Sequence, residues 1–193
     1  MPFTVEPTSI PEVRIVRPRL FGDERGWFGE ILQVDAFEPL DLPTRFVQVN
    51  QSRSTRGVVR GLHFQWDPPQ GKLMRVVRGR AFMVAADIRP GSPTLGQVVT
   101  LEASDEEPVL FWAPASFARG FAALADATDI EYFCTAGYDP RHESGIRFDD
   151  PELAIAWPVE APVLSPKDEA AGTLRDWLAR PESSAFAWLP PAG

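Results

Sequence analysis

Between about Arg14 and Pro158, apolar and polar positions mostly alternate with period two, in short runs broken by turn residues. Such runs predict short antiparallel strands rather than helices. The candidates are Trp27 to Val34, Phe46 to Ser52, Val58 to Phe64, Lys72 to Val77, Ala81 to Ile88, Gln97 to Leu101, Val109 to Trp112, Ala118 to Leu124 and Ile130 to Thr135. Arg78-Gly79-Arg80 reads as a hairpin turn, with Gly at the position that needs φ > 0. Many short strands and little helix imply an all-β sandwich or barrel, of which the jelly roll is one form. The tail differs. Over about 166–181 a helical segment is expected, with Ser165 as N-cap, Pro166 at the first helical position and Asp168 three residues after the cap. Leu174, Trp177 and Leu178 then form an apolar stripe that can lie on a sheet. Beyond Pro181 the Pro- and Ala-rich end, Leu189-Pro190-Pro191-Ala192-Gly193, is expected to be loose. Without a repeat or a boundary signal, residues 1–193 read as one domain with its core over about 14–160.

The length of 193 residues is enough for one full core, and 44% hydrophobic with 24% charged residues is ordinary for a globular chain. A formal charge of −8 argues against a nucleic-acid partner. It leaves room for a small anionic ligand held by a local cationic cluster. Cys134 is the only cysteine, so no intrachain disulfide forms. The N-terminus lacks the pattern of a signal peptide, and no apolar run is long enough for a bilayer. The expectation is a soluble, reduced, cytoplasmic protein with no membrane association.

Candidate chemistry centres on Gly57-Val58-Val59-Arg60-Gly61-Leu62-His63-Phe64-Gln65. This run puts one of only two histidines in a strand, with Arg60 three residues before it and Lys72 nine after. Alternation gives Val59, Gly61, His63 and Gln65 one face, small or polar as a cavity lining is, and Val58, Leu62 and Phe64 the apolar face. An imidazole suits general base work near neutral pH. The neighbouring cations are costly in a dry core unless an anion joins them. A zinc or iron site needs two or three histidines plus a carboxylate, and only His63 and His142 exist, so no metal site is expected. Cys134 reads as core, and neither a Gly-x-Ser-x-Gly elbow nor a Gly-rich phosphate loop is present. Tyr132, in Asp129-Ile130-Glu131-Tyr132-Phe133-Cys134, reads as a core tyrosine or as the acid opposite His63. Asp168 reads as part of the capping box or as the carboxylate that orients His63, and the two roles are compatible.

Further motifs extend the pattern. Phe21 to Glu30 (Phe-Gly-Asp-Glu-Arg-Gly-Trp-Phe-Gly-Glu), Phe46 to Ser52, Gly57 to Gln65, Lys72, Asp87 to Thr94, Phe117-Ala118-Arg119-Gly120-Phe121 and Leu164 to Asp168 resemble, in order, the dTDP-4-dehydrorhamnose 3,5-epimerases. The likeness runs from about Arg17 to Asp168. It implies a cupin-type jelly roll, a homodimer, and no metal or other cofactor. It implies a dTDP-sugar substrate, dTDP-4-dehydro-6-deoxy-D-glucose, converted to dTDP-4-dehydro-L-rhamnose through an enolate. By the resemblance His63 is the proton acceptor assisted by Asp168, Tyr132 is the proton donor, and Lys72 steadies the developing oxyanion. Tyr138 is the ring that stacks on thymine. Arg25, Glu30, Gln48, Asn50, Arg60, Lys72, Glu143 and Lys167 are expected to contact substrate.

One position departs from the family, which often has His where this chain has Arg119. Arg remains a donor and a cation but is no base near neutral pH, and Arg119 is expected to bind substrate. Inversion at C3 alone or C5 alone, a ketoisomerase, and a non-catalytic cupin that only binds a nucleotide sugar are the alternatives. Strand parity raises one conflict: Arg60 and His63 are three apart and fall on opposite faces of a regular strand. Either Gly61 marks a bulge or Arg60 serves the neighbouring subunit's site, and the dimeric resemblance favours the second.

Overall fold

A computed structural model describes residues 2–190. Its strands are β1 (Phe3–Glu6), β2 (Arg14–Pro18), β3 (Leu20–Asp23), β4 (Gly26–Gly29), β5 (Gln48–Ser54), β6 (Val59–Gln65), β7 (Lys72–Arg78), β8 (Arg80–Asp87), β9 (Val98–Ser104), β10 (Leu110–Ala113), β11 (Phe117–Ala123), β12 (Thr128–Cys134) and β13 (Glu143–Gly145). Helices are short: α1 (Val34–Phe37), α2 (Pro166–Glu169) and α3 (Leu174–Leu178), with 3-10 turns at Glu38–Leu40 and Pro181–Phe186. One antiparallel sheet runs β1-β2-β10-β7-β12-β5 and a second runs β13-β6-β11-β8-β9, while β3 and β4 pair only with each other. The two larger sheets pack as the jelly-roll sandwich of the cupin type that the alternation and the resemblance imply. Among the described residues no helix is long and apolar enough to cross a membrane.

Three apolar layers hold the sandwich. Between the sheets, Met74, Val76, Phe111 and Ile130 meet Met83, Ala85, Phe117 and Phe121. Outside the five-stranded sheet, Leu62, Phe64 and Val84 pack on Leu174, Trp177 and Phe186 of the tail. Outside the six-stranded sheet, Leu73 and Leu110 pack under Phe3, Phe37 and Leu42. Strands covered on both faces lose clean alternation, which is why β11 is buried at every position.

Most expected strands are present within one or two residues, and Gly79 does turn β7 into β8 with φ 76°. Three expectations need correction. The run from Trp27 to Val34 is a strand only to Gly29, and Val34 starts α1. The tail is two helices rather than one. Thr173 opens α3 with its own capping box, its side chain accepting from the Asp176 amide while Asp176 accepts from the Thr173 amide. The chain beyond Pro181 is not loose throughout, because Phe186 is 4% exposed and packs against Trp177 at 5.7 Å. Leu189 is exposed as expected, and Pro191, Ala192 and Gly193 lie outside the described residues. Strands β1, β2, β3 and β13 are not among the expected runs.

Candidate active site

The conflict over Arg60 resolves in the pairing of β6 with β11. Arg119 pairs His63 and Phe121 pairs Arg60, so three steps on β6 match two on β11. This is a β-bulge. Gly61 sits in it with φ 113°, and a Cβ there would lie 2.7 Å from the Arg119 carbonyl oxygen, so only glycine fits. The extra residue reverses parity along the strand. Val58 joins the layer between the sheets, whereas Leu62 and Phe64 face the tail. Arg60 and His63 thereby line one cavity within one chain, correcting the assignment of Arg60 to a neighbour's site.

That cavity, about 210 Å³, opens between the sheets and is lined by Asn50, Ser52, Arg60, His63, Lys72, Arg119 and Tyr132, among others. Three of these are cations, and no carboxylate lines it. The −8 charge of the chain is thus locally reversed. A larger groove of about 640 Å³ runs past Glu12, Arg89 and Trp188. There Arg89 is already occupied by Asp87 and Glu12, and no acid–base pair faces the space.

His63 is held from behind. Its Nε2 lies 2.6 Å from Oδ1 of Asp168, which is 4% exposed. Asp168 also meets the N-cap of α2: its amide donates to Ser165 Oγ at 3.2 Å, and Ser165 Oγ donates to Oδ2 at 2.7 Å. The carboxylate therefore backs His63, but it does not complete a capping box, because it accepts the Ser165 hydroxyl rather than the Ser165 amide. Burial pushes its carboxyl up, but the hydrogen bonds from His63 and Ser165 outweigh this and hold it below the usual range. An ionised carboxylate at Nε2 selects the tautomer with its proton there, leaving the Nδ1 lone pair as the basic site.

Tyr132 reaches the same cavity from β12. Its hydroxyl meets Ser52 Oγ at 2.7 Å, and its ring lies 5.9 Å from Lys72 Nζ. Burial pushes the phenol up to about 12, against smaller opposing effects of Ser52 and Arg60. Lys72 moves the other way: burial first, then the charge of Arg119, bring it down to about 8. Arg119 is 3% exposed, and burial lowers it to about 10. Its Nη2 donates to the carbonyls of Gln70 and, at 3.5 Å, Ala115, while Nε and Nη1 are closed off and unpartnered among the described residues.

A second group adjoins the cavity. Tyr138 donates its hydroxyl to Glu143 Oε2 at 2.8 Å and its amide to Gln48 Oε1 at 3.1 Å. Lys167 also pairs with Glu143, and Gln48 donates to Asn50 Oδ1 at 2.9 Å. Burial raises the Glu143 carboxyl, but Lys167 and Tyr138 hold it below its ordinary value. A polar path thus leads from the cavity at Asn50 to the exposed Tyr138 ring. Arg25 and Glu30 lie elsewhere. Arg25 is exposed at the β3–β4 turn, paired with Asp23, and Glu30 follows β4. Sequence reasoning passed over Ser52 and Met74 as cavity residues, although period two from Gln48 and Asn50 reaches Ser52. Among the described residues no group of three or more His, Cys, Asp or Glu is arranged to hold a metal ion.

Known proteins resemble the chain over most of its length. The family model described as dTDP-4-dehydrorhamnose 3,5-epimerase matches residues 7–176. The enzyme of that name from Methanothermobacter thermautotrophicus is 45% identical over 172 residues, covering 88% of this chain and 93% of the relative. A dTDP-4-dehydrorhamnose 3-epimerase from Streptomyces niveus is 40% identical, covering 86% and 82%. The crystal structure of the dTDP-6-deoxy-D-glucose-3,5-epimerase from Legionella pneumophila, in complex with dTDP-4-keto-L-rhamnose, superposes with a TM-score of 0.90 at 44% identity, covering 97% of this chain and 98% of that one. With the fold, the order of the motifs and these relatives in agreement, the chain belongs to the dTDP-4-dehydrorhamnose 3,5-epimerase family.

Proposed function

We propose that this protein epimerises dTDP-4-dehydro-6-deoxy-D-glucose at C3 and C5 to give dTDP-4-dehydro-L-rhamnose. The observation that carries the reading is the carboxylate-backed imidazole of His63 sharing a cationic cavity with the protonated phenol of Tyr132. His63 Nδ1 takes the proton from C3 or C5, and the C–H electron pair moves into the C4 ketone to form an enolate. Lys72 donates a hydrogen bond to the developing oxygen. Tyr132 returns a proton to the opposite face and the carbon is inverted; His63 then gives its proton to solvent and Tyr132 regains one, which restores both groups for the second carbon. The diphosphate is met by Arg60 through charge-assisted hydrogen bonds, and the base stacks on Tyr138.

Homodimerisation belongs to the same proposal. The β3–β4 hairpin exposes Phe21, Trp27 and Phe28, the last 68% exposed, and carries Arg25 away from its own cavity. Packing of that hairpin on a second copy covers the apolar rings and delivers the partner's Arg25 and Glu30 to the substrate. A cytoplasmic setting fits a free, buried Cys134. Inversion at C3 alone is the second reading, favoured by the Streptomyces niveus relative named a 3-epimerase. Turnover of dTDP-4-dehydro-6-deoxy-D-glucose, with product stereochemistry read by NMR, tests the proposal: inversion at both centres supports it, and inversion at C3 alone replaces it with the second reading.

A further inference from the structure

Among the described residues, the buried side-chain atoms without a hydrogen-bond partner belong to Arg119. Its guanidinium is buried, forms no ion pair among the described residues, and leaves Nε and Nη1 without acceptors. A buried charge without a counterion is costly, and retention of one in a cavity wall calls for a reason. Direct hydrogen bonding to substrate is a poor one, because Nε and Nη1 are closed off and Nη2 is spent on the Gln70 and Ala115 carbonyls. Those carbonyls instead immobilise the charge beside the cavity, on the strand position that pairs His63.

We infer that Arg119 is a positioning residue that acts through Lys72, holding a fixed positive charge at the lysine so that its ammonium becomes a stronger donor to the oxygen of the developing enolate. The inference rests on the epimerase reading for its consequence, though not for its geometry. Lys72 also forms no ion pair among the described residues. Both side chains line one cavity, and a carbonyl that holds Arg119 belongs to Gln70, two residues before Lys72; after burial, the Arg119 charge is also the largest influence lowering the lysine. The other groups acting on Lys72 are Cys134 and Glu143, which raise it, and Lys167, which lowers it, while the neutral Tyr132 ring stands 5.9 Å away. Of these only Arg119 is a buried cation without a carboxylate partner, since Lys167 is tied to Glu143. A neutral side chain at position 119 removes that field, whereas lysine keeps it.

The test is titration of Lys72 in the ligand-free protein, from the 13Cε shift of labelled lysine assigned with a Lys72→Arg variant. In Arg119→Gln the Lys72 midpoint is expected to move upward by about half a pH unit or more, for the loss of a charge lining the same cavity in a medium of intermediate dielectric. Arg119→Lys is expected to keep the wild-type midpoint. In turnover, Arg119→Gln is expected to lower kcat by roughly tenfold or more with KM nearly unchanged, the signature of an interaction made only in the transition state. An unchanged Lys72 midpoint in Arg119→Gln, or a raised KM with normal kcat, overturns the inference. The titration needs no substrate, so failure of the epimerase assay does not decide it.

Discussion

His63 Nε2 and Asp168 Oδ1 stand 2.6 Å apart, at the junction of a bulged strand and a capped helical turn. One carboxylate thereby fixes the imidazole, accepts the hydroxyl of the α2 N-cap Ser165 and accepts the Gly61 amide at 3.3 Å. Replacing His63 by Asn removes the base and leaves the fold, since the ring is partly open to the cavity. A kcat loss of about 10²–10⁴ is expected, the usual worth of a positioned general base. Asp168→Asn is expected to approach that loss and to cost about 1–3 kcal/mol of stability, because three hydrogen-bond partners lose a charged acceptor. Steady-state kinetics and thermal melts of both variants check this. Asp168→Asn with normal turnover contradicts the assignment.

Tyr132 and His63 act on opposite faces of the sugar in this account, so removing one does not abolish the other's half-reaction. Tyr132→Phe is expected to lower epimer formation by about 10²-fold or more while slow hydrogen exchange at C3 persists through His63. With the phenol near 12, its ionisation does not limit activity below pH 10. Parallel measurement of exchange and inversion separates the two steps; equal loss of both counts against the division of labour.

Lys72 ties pH to both activity and stability. Its folded value, about 8, lies below the ordinary lysine value of 10.5. The charged form is therefore the one that folding disfavours. The penalty is present in full below pH 8 and fades as pH rises toward 10.5. Turnover is expected to fall on the alkaline side with a midpoint near 8, as the ammonium is lost. Lys72→Met is expected to abolish turnover yet stabilise the protein at pH 7 by about 1–3 kcal/mol, a gain that shrinks toward pH 10. Thermal melts across that range check the sign.

The hairpin supplies a prediction at the assembly level. Phe28→Glu places a charge on a ring that is 68% exposed in one chain and contributes to none of its apolar layers. The isolated fold is expected to survive, with a melting temperature within a few degrees of wild type. If the hairpin joins two copies as proposed, the variant is expected to be a monomer with reduced activity. Light scattering with chromatography and a matched assay check this. A fully active monomer contradicts the shared site.

Much of this was legible in the sequence, and the exceptions have physical causes. Alternation located the eight strands β5 to β12 because the expected run at each contributes residues to a packed layer. The hairpin β3–β4 escaped in part because, among the described residues, its apolar rings join none of the three apolar layers. Thr173 and Asp176 split the tail because two caps within eight residues leave no room for one helix. Phe186 was missed because a single aromatic among Pro, Ser and Ala has no period to reveal that it fills a gap beside Trp177. His63, Asp168 and Tyr132 were singled out by residue type and by the family resemblance, and the structure brings them together, but the cavity shared by His63 and Arg60 depends on a bulge. Parity assumes a regular strand, and only the pairing with β11 shows where Gly61 interrupts it.

The central claim is proton transfer at two carbons through His63. Incubating the enzyme with dTDP-4-dehydro-6-deoxy-D-glucose in D2O and following C3 and C5 by NMR tests it most directly. Deuterium at both carbons, with inversion at each, is the predicted result, and His63→Asn should suppress it at both. No deuterium at either carbon contradicts the account.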